Sequence, residues 1–183
     1  FETDFLSRAM ISVSTDERIW EIKTPQKFVQ QHRIPLVGLH PGERCEITVR
    51  AEDEKGEFVE APQPVSIVGS AVPDNIPPIK VKVCRPEKRE PGVMLFNVRP
   101  SPASEDTVDF GLILGVDQDG KIVWLYRNET AIGDVRVKQN GNILYVSDGL
   151  ISEIDLLGDT VQEWYAVERW REKTPPTGAT AVQ

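Results

Sequence analysis

The stretch "GLILGVDQDGKIVWLYRN", Gly111 to Asn128, has a second and similar stretch in "GLISEIDLLGDTVQEWYA", Gly149 to Ala166. Both copies place a glycine three residues after an aspartate, between two apolar runs, and this pattern predicts a tight hairpin turn. A tryptophan follows each glycine by an even number of residues, so we expect the two tryptophans on the same side of their strands. The matched residues are Asp117, Gly120 and Trp124 in the first copy, and Asp155, Gly158 and Trp164 in the second.

A further hairpin precedes each copy, at "PGVMLF" around Gly92 and at "NGNILY" around Gly141. The pair Asn140-Gly141 predicts a type I′ turn. The repeating unit is therefore strand, turn, strand, connector, strand, turn, strand. The connector is the long "RPSPASEDTVDF" in the first copy and the short "SDG" in the second. Four strands that recur at roughly forty residues are typical of β-propeller blades, each of which packs on its neighbours.

Period-two alternation dominates the chain, and this predicts an all-β fold. The clearest strand is Cys45 to Ala51, in which every second residue is apolar, so that one face meets a core. Further strands are expected in "RAMISV", "RIWEIK", "KFVQQHRIPLVGL" and "QPVSIVG", with turns at "STDE", "TPQ", "HPGE" and "DEKGE". Short strands at this density predict a β-sandwich domain over residues 1–72.

A proline-rich run, "SAVPDNIPPIK" from Ser70 to Lys80, is typical of an extended and stiff connector. We therefore predict a linker over residues 73–80 and the first one to two blades of a β-propeller over residues 81–183. Its strands are expected at "IKVKV", "GVMLFNV", "GLILGVD", "KIVWLY", "VRVKQ", "NILYVS", "LISEID" and "TVQEWY". Because such a propeller is incomplete, we also expect an unpaired strand edge between Tyr145 and Tyr165.

The composition is that of an acidic globular protein, with 29 Asp and Glu against 21 Lys and Arg and a net charge of −8. Its basic residues are scattered among acidic ones, which argues against nucleic acid as a partner. No stretch approaches the roughly 20 apolar residues of a membrane span. The chain begins at Phe1 and not at Met, which fits a processed or excised protein.

The two cysteines, Cys45 and Cys84, have neither a metal-ligand spacing nor the density of a disulfide scaffold. Alternation places Cys45 on the apolar face of its strand and Cys84 on the face opposite to Ile79, Val81 and Val83. Opposed side chains cannot meet disulfide geometry without a backbone rearrangement. Free thiols are therefore favoured over a bridge, and the sequence leaves both open.

The remaining conspicuous residues are interpreted as structural. His32, in "QQHRIP", and His40, in "GLHPGE", are expected to be solvated surface groups. The run from Asp117 to Gly120 lacks the downstream ligands of a calcium loop, so a hairpin turn is favoured. Trp124 and Trp164 are expected to pack between neighbouring blades and not to bind a ligand. We accordingly assign no catalytic, cofactor-binding or metal-binding residue, and no cofactor.

Two segments resemble a known family: "GLILGVDQDGKIVWLYRN" and "DVRVKQNGNILYVSDGLISEIDLLGDTVQEW". They are similar to the first blades of the arylsulfotransferases, secreted bacterial enzymes that move a sulfuryl group between phenols without a nucleotide donor. In that family a small N-terminal β-sandwich precedes a six-bladed propeller. The resemblance is close over Phe110 to Tyr165 and looser over the first domain. There "GLHPGERCEITVRAEDEKGE" is similar to immunoglobulin-like and fibronectin type III modules, with Cys45 at the position of their usual tyrosine.

The resemblance implies a histidine nucleophile, an arginine and further histidines on blades later than these. This chain has only His32 and His40, both in the first domain, so none of those roles is transferred to it. The resemblance also implies a periplasmic or extracellular protein, whose partner is the remainder of the propeller in the same or another chain, or a second copy in a homo-oligomer. Aryl sulfates and phenols are expected as substrates only of a completed propeller.

A second interpretation is a non-catalytic extracellular or cell-surface protein that uses the same scaffold for binding or assembly, because propellers host many functions. The sequence after Gln183 separates the two interpretations. Histidines and an arginine at the central ends of later blades would favour the enzyme. The sequence leaves open the substrate, the oligomeric state and whether the end at Gln183 is natural.

Overall fold

The computed structural model shows an all-β protein, which confirms the fold class predicted from the alternation. It describes residues 1–23, 27–74, 76, 79–88, 90–98, 110–170 and 174–182. The chain divides into two compact units, Phe1–Pro77 and Pro78–Gln183, and this division falls within the proline-rich stretch 73–80. Two short 3-10 helices, Pro86–Lys88 and Val167–Trp170, are the helices of the described part.

The first unit is built on one antiparallel sheet of six strands. The long central strands β1 and β4 pair along eight successive residues, from Ser7 with Asp53 to Ser14 with Glu46. Strands β2 and β3 pair with β1, and β5 and β6 pair with β4. The strands are β1 (Glu2–Ser14), β2 (Ile19–Lys23), β3 (Val29–Gln31), β4 (Arg44–Asp53), β5 (Phe58–Glu60) and β6 (Val65–Val68).

One face of this sheet is apolar, as the alternation predicts. Ile11, Val13 and Cys45 are buried there, and Cys45 is 1% exposed. Ile34 and Leu36 pack on them, although the predicted strand "KFVQQHRIPLVGL" forms a strand only at β3. Pro35 lacks the N–H that a sheet ladder needs, so this segment crosses the apolar face and does not extend an edge.

The second unit contains two sheets packed on one core. A three-stranded sheet has the order β7-β8-β9, and a five-stranded sheet has the order β10-β11-β12-β13-β14. All neighbouring strands are antiparallel except β13 and β14, which are parallel. The strands are β7 (Met94–Val98), β8 (Gly111–Val116), β9 (Ile122–Asn128), β10 (Ile132–Val137), β11 (Ile143–Ser147), β12 (Leu150–Ile154), β13 (Thr160–Ala166) and β14 (Thr180–Val182).

Two predictions about strands in the second unit are wrong. Residues 79–83, "IKVKV", form no strand, and Val81 and Val83 are 50% and 73% exposed. Their alternation therefore buries no face. The edge between Tyr145 and Tyr165 is not unpaired either, because β14 pairs with β13 at Trp164 to Ala166. The predicted turn at 24–26 and most of the connector 99–110 lie outside the described residues.

The hairpin turns of the two copies have the same geometry, which confirms the prediction of hairpins. Asp117 Oδ1 accepts the backbone N–H groups of Asp119 and Lys121, both at 2.9 Å. Asp155 Oδ1 accepts those of Leu157 at 2.8 Å and Asp159 at 3.0 Å. A carboxylate that caps its own turn in this way is an Asx turn. These two carboxylates therefore have a structural role in the loops.

The turn at Asn140-Gly141 is not of type I′. That type needs a positive φ at both central residues, whereas Gly141 has a φ of 86° and Asn140 is not among the residues with positive φ. Instead Lys138 and Asn142 close the loop through their backbone groups at 2.8 Å. The same closure occurs between Asp117 and Lys121 at 3.0 Å.

Candidate functional site

The contact between the two sheets of the second unit depends on polar side chains as well as on the apolar core. Trp124 on β9 donates its indole N–H to the carbonyl of Leu156, at 2.9 Å, in the turn between β12 and β13. Asn97 on β7 donates to the carbonyl of Ile132 at 2.8 Å. These directional bonds fix how the sheets are aligned, because apolar contacts alone are non-directional. Trp124 therefore packs at the contact between the two sheets.

A second group of hydrogen bonds joins the aromatic side chains of this contact. The hydroxyls of Tyr126 and Tyr145 lie 3.0 Å apart, and burial raises the pKa of Tyr126. The amide of Asn128 donates to Ser147 Oγ at 2.8 Å and to the carbonyl of Thr130 at 3.0 Å. The polar groups of the contact are thus hydrogen-bonded within it, as buried polar groups require. They hold the sheets together and are not free for a ligand.

The strand register shows which faces of the two sheets correspond. In the first sheet Ile113 pairs with Tyr126, and in the second sheet Ile151 pairs with Trp164. Ile113 and Ile151 lie the same number of residues before the turn aspartates of their copies. Both ladders have a register shift just before that aspartate. Tyr126, and not Trp124, is therefore the register equivalent of Trp164. The two tryptophans still lie on equivalent faces, two positions apart.

The candidate functional site is the outward face of the second sheet, defined here by Leu144, Val146, Ile151 and Trp164. It is the register equivalent of the face through which the first sheet packs on the second. Val146 pairs with Ile151, and Ile151 with Trp164, so the apolar side chains form a continuous row. Val146 and Ile151 are 38% and 40% exposed. Within the described part of the chain, the indole N–H of Trp164 has no hydrogen-bond acceptor, unlike that of Trp124.

Glu153 borders the outward face and is itself buried, with 4% exposed. Lys138 and Asn142 each donate to its carboxylate at 2.6 Å, from the two sides of the turn between β10 and β11. The Lys138 hydrogen bond is the main reason why the pKa of Glu153 is lowered. Because this carboxylate is fully paired, it supports the sheet and leaves the face apolar.

His32 is not the solvated surface group that the sequence predicts. Its ring is 7% exposed, and its Nε2 lies 2.9 Å from the hydroxyl of Ser7, which is itself fully buried. Burial lowers the pKa of His32. Ser7 also contacts the Thr3 hydroxyl at 3.0 Å. A serine beside a histidine is the arrangement of a nucleophile and its base, but here neither reaches solvent, so the pair is structural.

His40 is also largely covered, with 14% of its side chain exposed. Its backbone N–H donates to Glu43 Oε2 at 2.8 Å, and the same oxygen accepts a bond of 2.6 Å from Arg18. The Arg18 guanidinium is the main reason why the pKa of Glu43 is lowered to about 2. His40 thus belongs to a turn that is held by an ion pair.

Two cysteines and two clefts are further features of the described residues. Neither Cys45 nor Cys84 forms a disulfide bond, and the first is buried whereas the second is exposed. An apolar cleft of about 860 Å³ is lined by Val81, Val83 and Met94. A smaller cleft of about 380 Å³ in the first unit is lined by three basic residues, which the sequence analysis missed: Arg8, Lys23 and Arg50. Their alternation with buried apolar residues on β1, β2 and β4 was the available signal.

Comparison with known proteins adds no assignment: no family model matches the chain, and no curated protein matches it. Among the described residues, no three His, Cys, Asp or Glu side chains are grouped so that they could hold a metal ion. The helices of the described part are too short and polar to cross a membrane.

Proposed function

We propose that this chain is the N-terminal segment of an arylsulfotransferase-like protein, which transfers a sulfuryl group between phenols without a nucleotide. In this proposal the first unit is an immunoglobulin-like or fibronectin type III-like β-sandwich. Residues 81–183 form the first one to two blades of a β-propeller. The chain itself is scaffold, and the histidine that carries the sulfuryl group lies outside it. The proposed location is the periplasm or the extracellular space.

The outward face of the second sheet is the observation that carries the proposal. One sheet already packs on the next through an aromatic and apolar face, and the second sheet repeats that face on its open side. Successive antiparallel sheets stacked face to face are the architecture of a propeller. Trp124 donates its indole N–H to the turn of the following sheet, and Trp164 lies on the equivalent face of the second sheet. A third sheet would supply such a turn.

The proposed chemistry is a ping-pong transfer through a sulfated histidine, in which an aryl sulfate leaves its sulfuryl group on the protein before a phenol accepts it. Neither histidine of this chain suits that role, because His32 and His40 are both largely covered and already partnered. The contribution of this chain is therefore to begin the ring on which later blades hold the reactive groups.

The sequence that follows Gln183 and an assay of the extended protein test the proposal together. We expect further four-strand repeats of roughly forty residues, with histidines and an arginine near their central strand ends. We expect the extended protein to release more than one 4-nitrophenol per protein molecule from 4-nitrophenyl sulfate only when a phenol acceptor is added. We expect the chain from Phe1 to Gln183 to show no turnover. An extension with no such histidines, or with the repeats but no transfer, would favour the non-catalytic binding protein.

A further inference from the structure

The polar face of the first sheet gathers three basic residues from three neighbouring strands. Lys23 on β2 pairs with Met10 on β1, and Met10 pairs with Arg50 on β4, so the two cations flank one residue. Arg8 lies two residues before Met10, on the same face. These residues, with Glu52 and Phe58, line the cleft of about 380 Å³. Three cations against one carboxylate make this cleft positive in a chain whose net charge is −8.

Aromatic rings hold both arginines of the cleft in place. The Arg50 guanidinium lies 3.9 Å from the centre of the Phe58 ring, and that of Arg8 lies 4.8 Å from the centre of the Phe28 ring. A guanidinium stacked on a ring keeps its N–H groups available at its edge, where they suit the paired oxygens of a carboxylate or phosphate. The arginines are thus oriented before any ligand arrives.

The residues that line the cleft include three cations and one carboxylate, Glu52. Arg8 binds Glu52 at 3.0 Å, but its Nε is buried and has no hydrogen-bond partner among the described residues. Lys23 and Arg50 form no ion pair within the described residues, although Glu60 lies opposite Arg50 in the ladder. A buried N–H without an acceptor destabilises the fold. An added oxyanion would pair with the exposed charges of Lys23 and Arg50.

We propose that this cleft binds a small organic oxyanion, with its charged group on Lys23 and Arg50 and its apolar body against Met10 and Phe58. The volume of the cleft is at the lower end of the usual range for small-molecule sites, about 300–1,000 Å³. The exposed half of Phe58 gives a planar ligand a surface on which to stack. The proposal rests on the first unit alone and does not depend on sulfuryl transfer.

Titration calorimetry with three probes tests the ligand class. Phenyl phosphate carries both the oxyanion and the apolar body, inorganic phosphate carries only the oxyanion, and benzyl alcohol carries only the apolar body. We expect saturable binding of phenyl phosphate, binding of inorganic phosphate at least about tenfold weaker, and no binding of benzyl alcohol. Equal binding of the two phosphates would show a site for inorganic ions alone and would overturn the proposal, as would no binding of phenyl phosphate at about 10 mM.

Two double variants locate the binding. Lys23→Ala with Arg50→Ala removes the free cations of the cleft, and we expect the affinity for phenyl phosphate to fall at least tenfold. Arg44→Ala with Lys55→Ala removes the same charge from exposed positions of the same unit outside the cleft, and we expect less than a twofold change. Similar losses in both variants would show a general charge effect and contradict the site. Lys23 and Arg50 are exposed, and thermal unfolding checks that each variant folds.

Discussion

The Glu43 carboxylate is the residue that joins the turn before β4 to the turn before β2. It accepts hydrogen bonds from the Arg18 guanidinium at 2.6 and 3.3 Å and from the backbone N–H of His40 at 2.8 Å. Only 14% of the Glu43 side chain is exposed, so solvent screens its ion pair with Arg18 only partly. We expect Glu43→Gln to lower the free energy of unfolding at pH 7 by about 2 kcal/mol, because a charged acceptor of several bonds is lost.

Urea unfolding across pH checks this expectation and its sign. The pKa of Glu43 in the folded state, about 2, lies below its ordinary 4.5, so its stabilisation is complete above about pH 4.5 and is lost as the pH falls towards 2. The difference between wild type and Glu43→Gln should therefore shrink over that window. Glu46→Gln, at an exposed position of β4, is the control and should stay within about 0.5 kcal/mol at all pH values. A constant difference from pH 7 to 2 would refute the ion pair.

The buried contact of Ser7 with His32 gives a second prediction at a single residue. Ser7→Ala removes the partner of a buried ring nitrogen, and leaving such a group unsatisfied costs about 1–3 kcal/mol. We expect a loss of about 2 kcal/mol in the free energy of unfolding, measured by urea titration at pH 7.5. Ser12→Ala, on the opposite and polar face of β1, should cost less than about 0.5 kcal/mol. Equal effects of the two changes would show that the contact between Ser7 and His32 does not stabilise the fold.

Strand β8 approaches β10 so closely that its first residue has to be glycine. A Cβ on Gly111 would lie 2.5 Å from the backbone nitrogen of Ile132 and 2.8 Å from the carbonyl oxygen of Thr130. Backbone atoms cannot turn aside as a flexible side chain can, so the two sheets would have to separate. We expect Gly111→Ala to cost about 3 kcal/mol, the upper end for overpacking.

The matched control for this element is Gly141→Ala. Gly141 has a φ of 86° and nothing within 4 Å of its absent side chain, so the change tests backbone strain alone, at about 1–2 kcal/mol. Both variants are compared by the midpoint of thermal unfolding. A smaller effect at Gly111 than at Gly141 would contradict the close approach of the sheets.

Alternation predicts a strand correctly where one face of the strand is buried and a partner strand lies beside it. β4 and β8 to β13 all lie where period two or a short apolar run indicates them, because each is flanked by turn residues that bring a partner strand alongside. Residues 79–83 alternate equally well and form no strand. Alternation describes only the side chains, whereas a strand also needs backbone hydrogen bonds to a neighbouring strand. The parallel strand β14, only three residues long, gives too short a pattern to be seen.

The polar residues of the candidate sites were harder to predict, for a related reason. Arg8, Lys23 and Arg50 are separated by up to 42 positions in the sequence, and only the register of β2, β1 and β4 brings them to one cleft. His32 and His40 lie in segments without regular structure, so no periodicity indicates whether they are covered. In both cases the missing information is the pairing of strands far apart in the chain.

At the scale of the whole molecule, the outward face of the second sheet makes a prediction about association. An exposed apolar row on a sheet seeks a partner, and when later sheets are absent a second copy of the chain is the partner present. We therefore expect the chain from Phe1 to Gln183 to associate with itself through Val146, Ile151 and Trp164. Sedimentation equilibrium should show an average mass that rises above 20.5 kDa with concentration.

Ile151→Glu should hold the chain at the monomer mass, because a carboxylate in the middle of the row would be desolvated on association. Val59→Glu introduces the same charge at a valine of the first unit that is 56% exposed, and it should associate like the wild type. If the wild-type chain stays monomeric at about 0.5 mM, the apolar row does not bind a second copy of the chain. That result would argue against the outward face as the surface on which a next sheet packs. The main support for a propeller would then be lost.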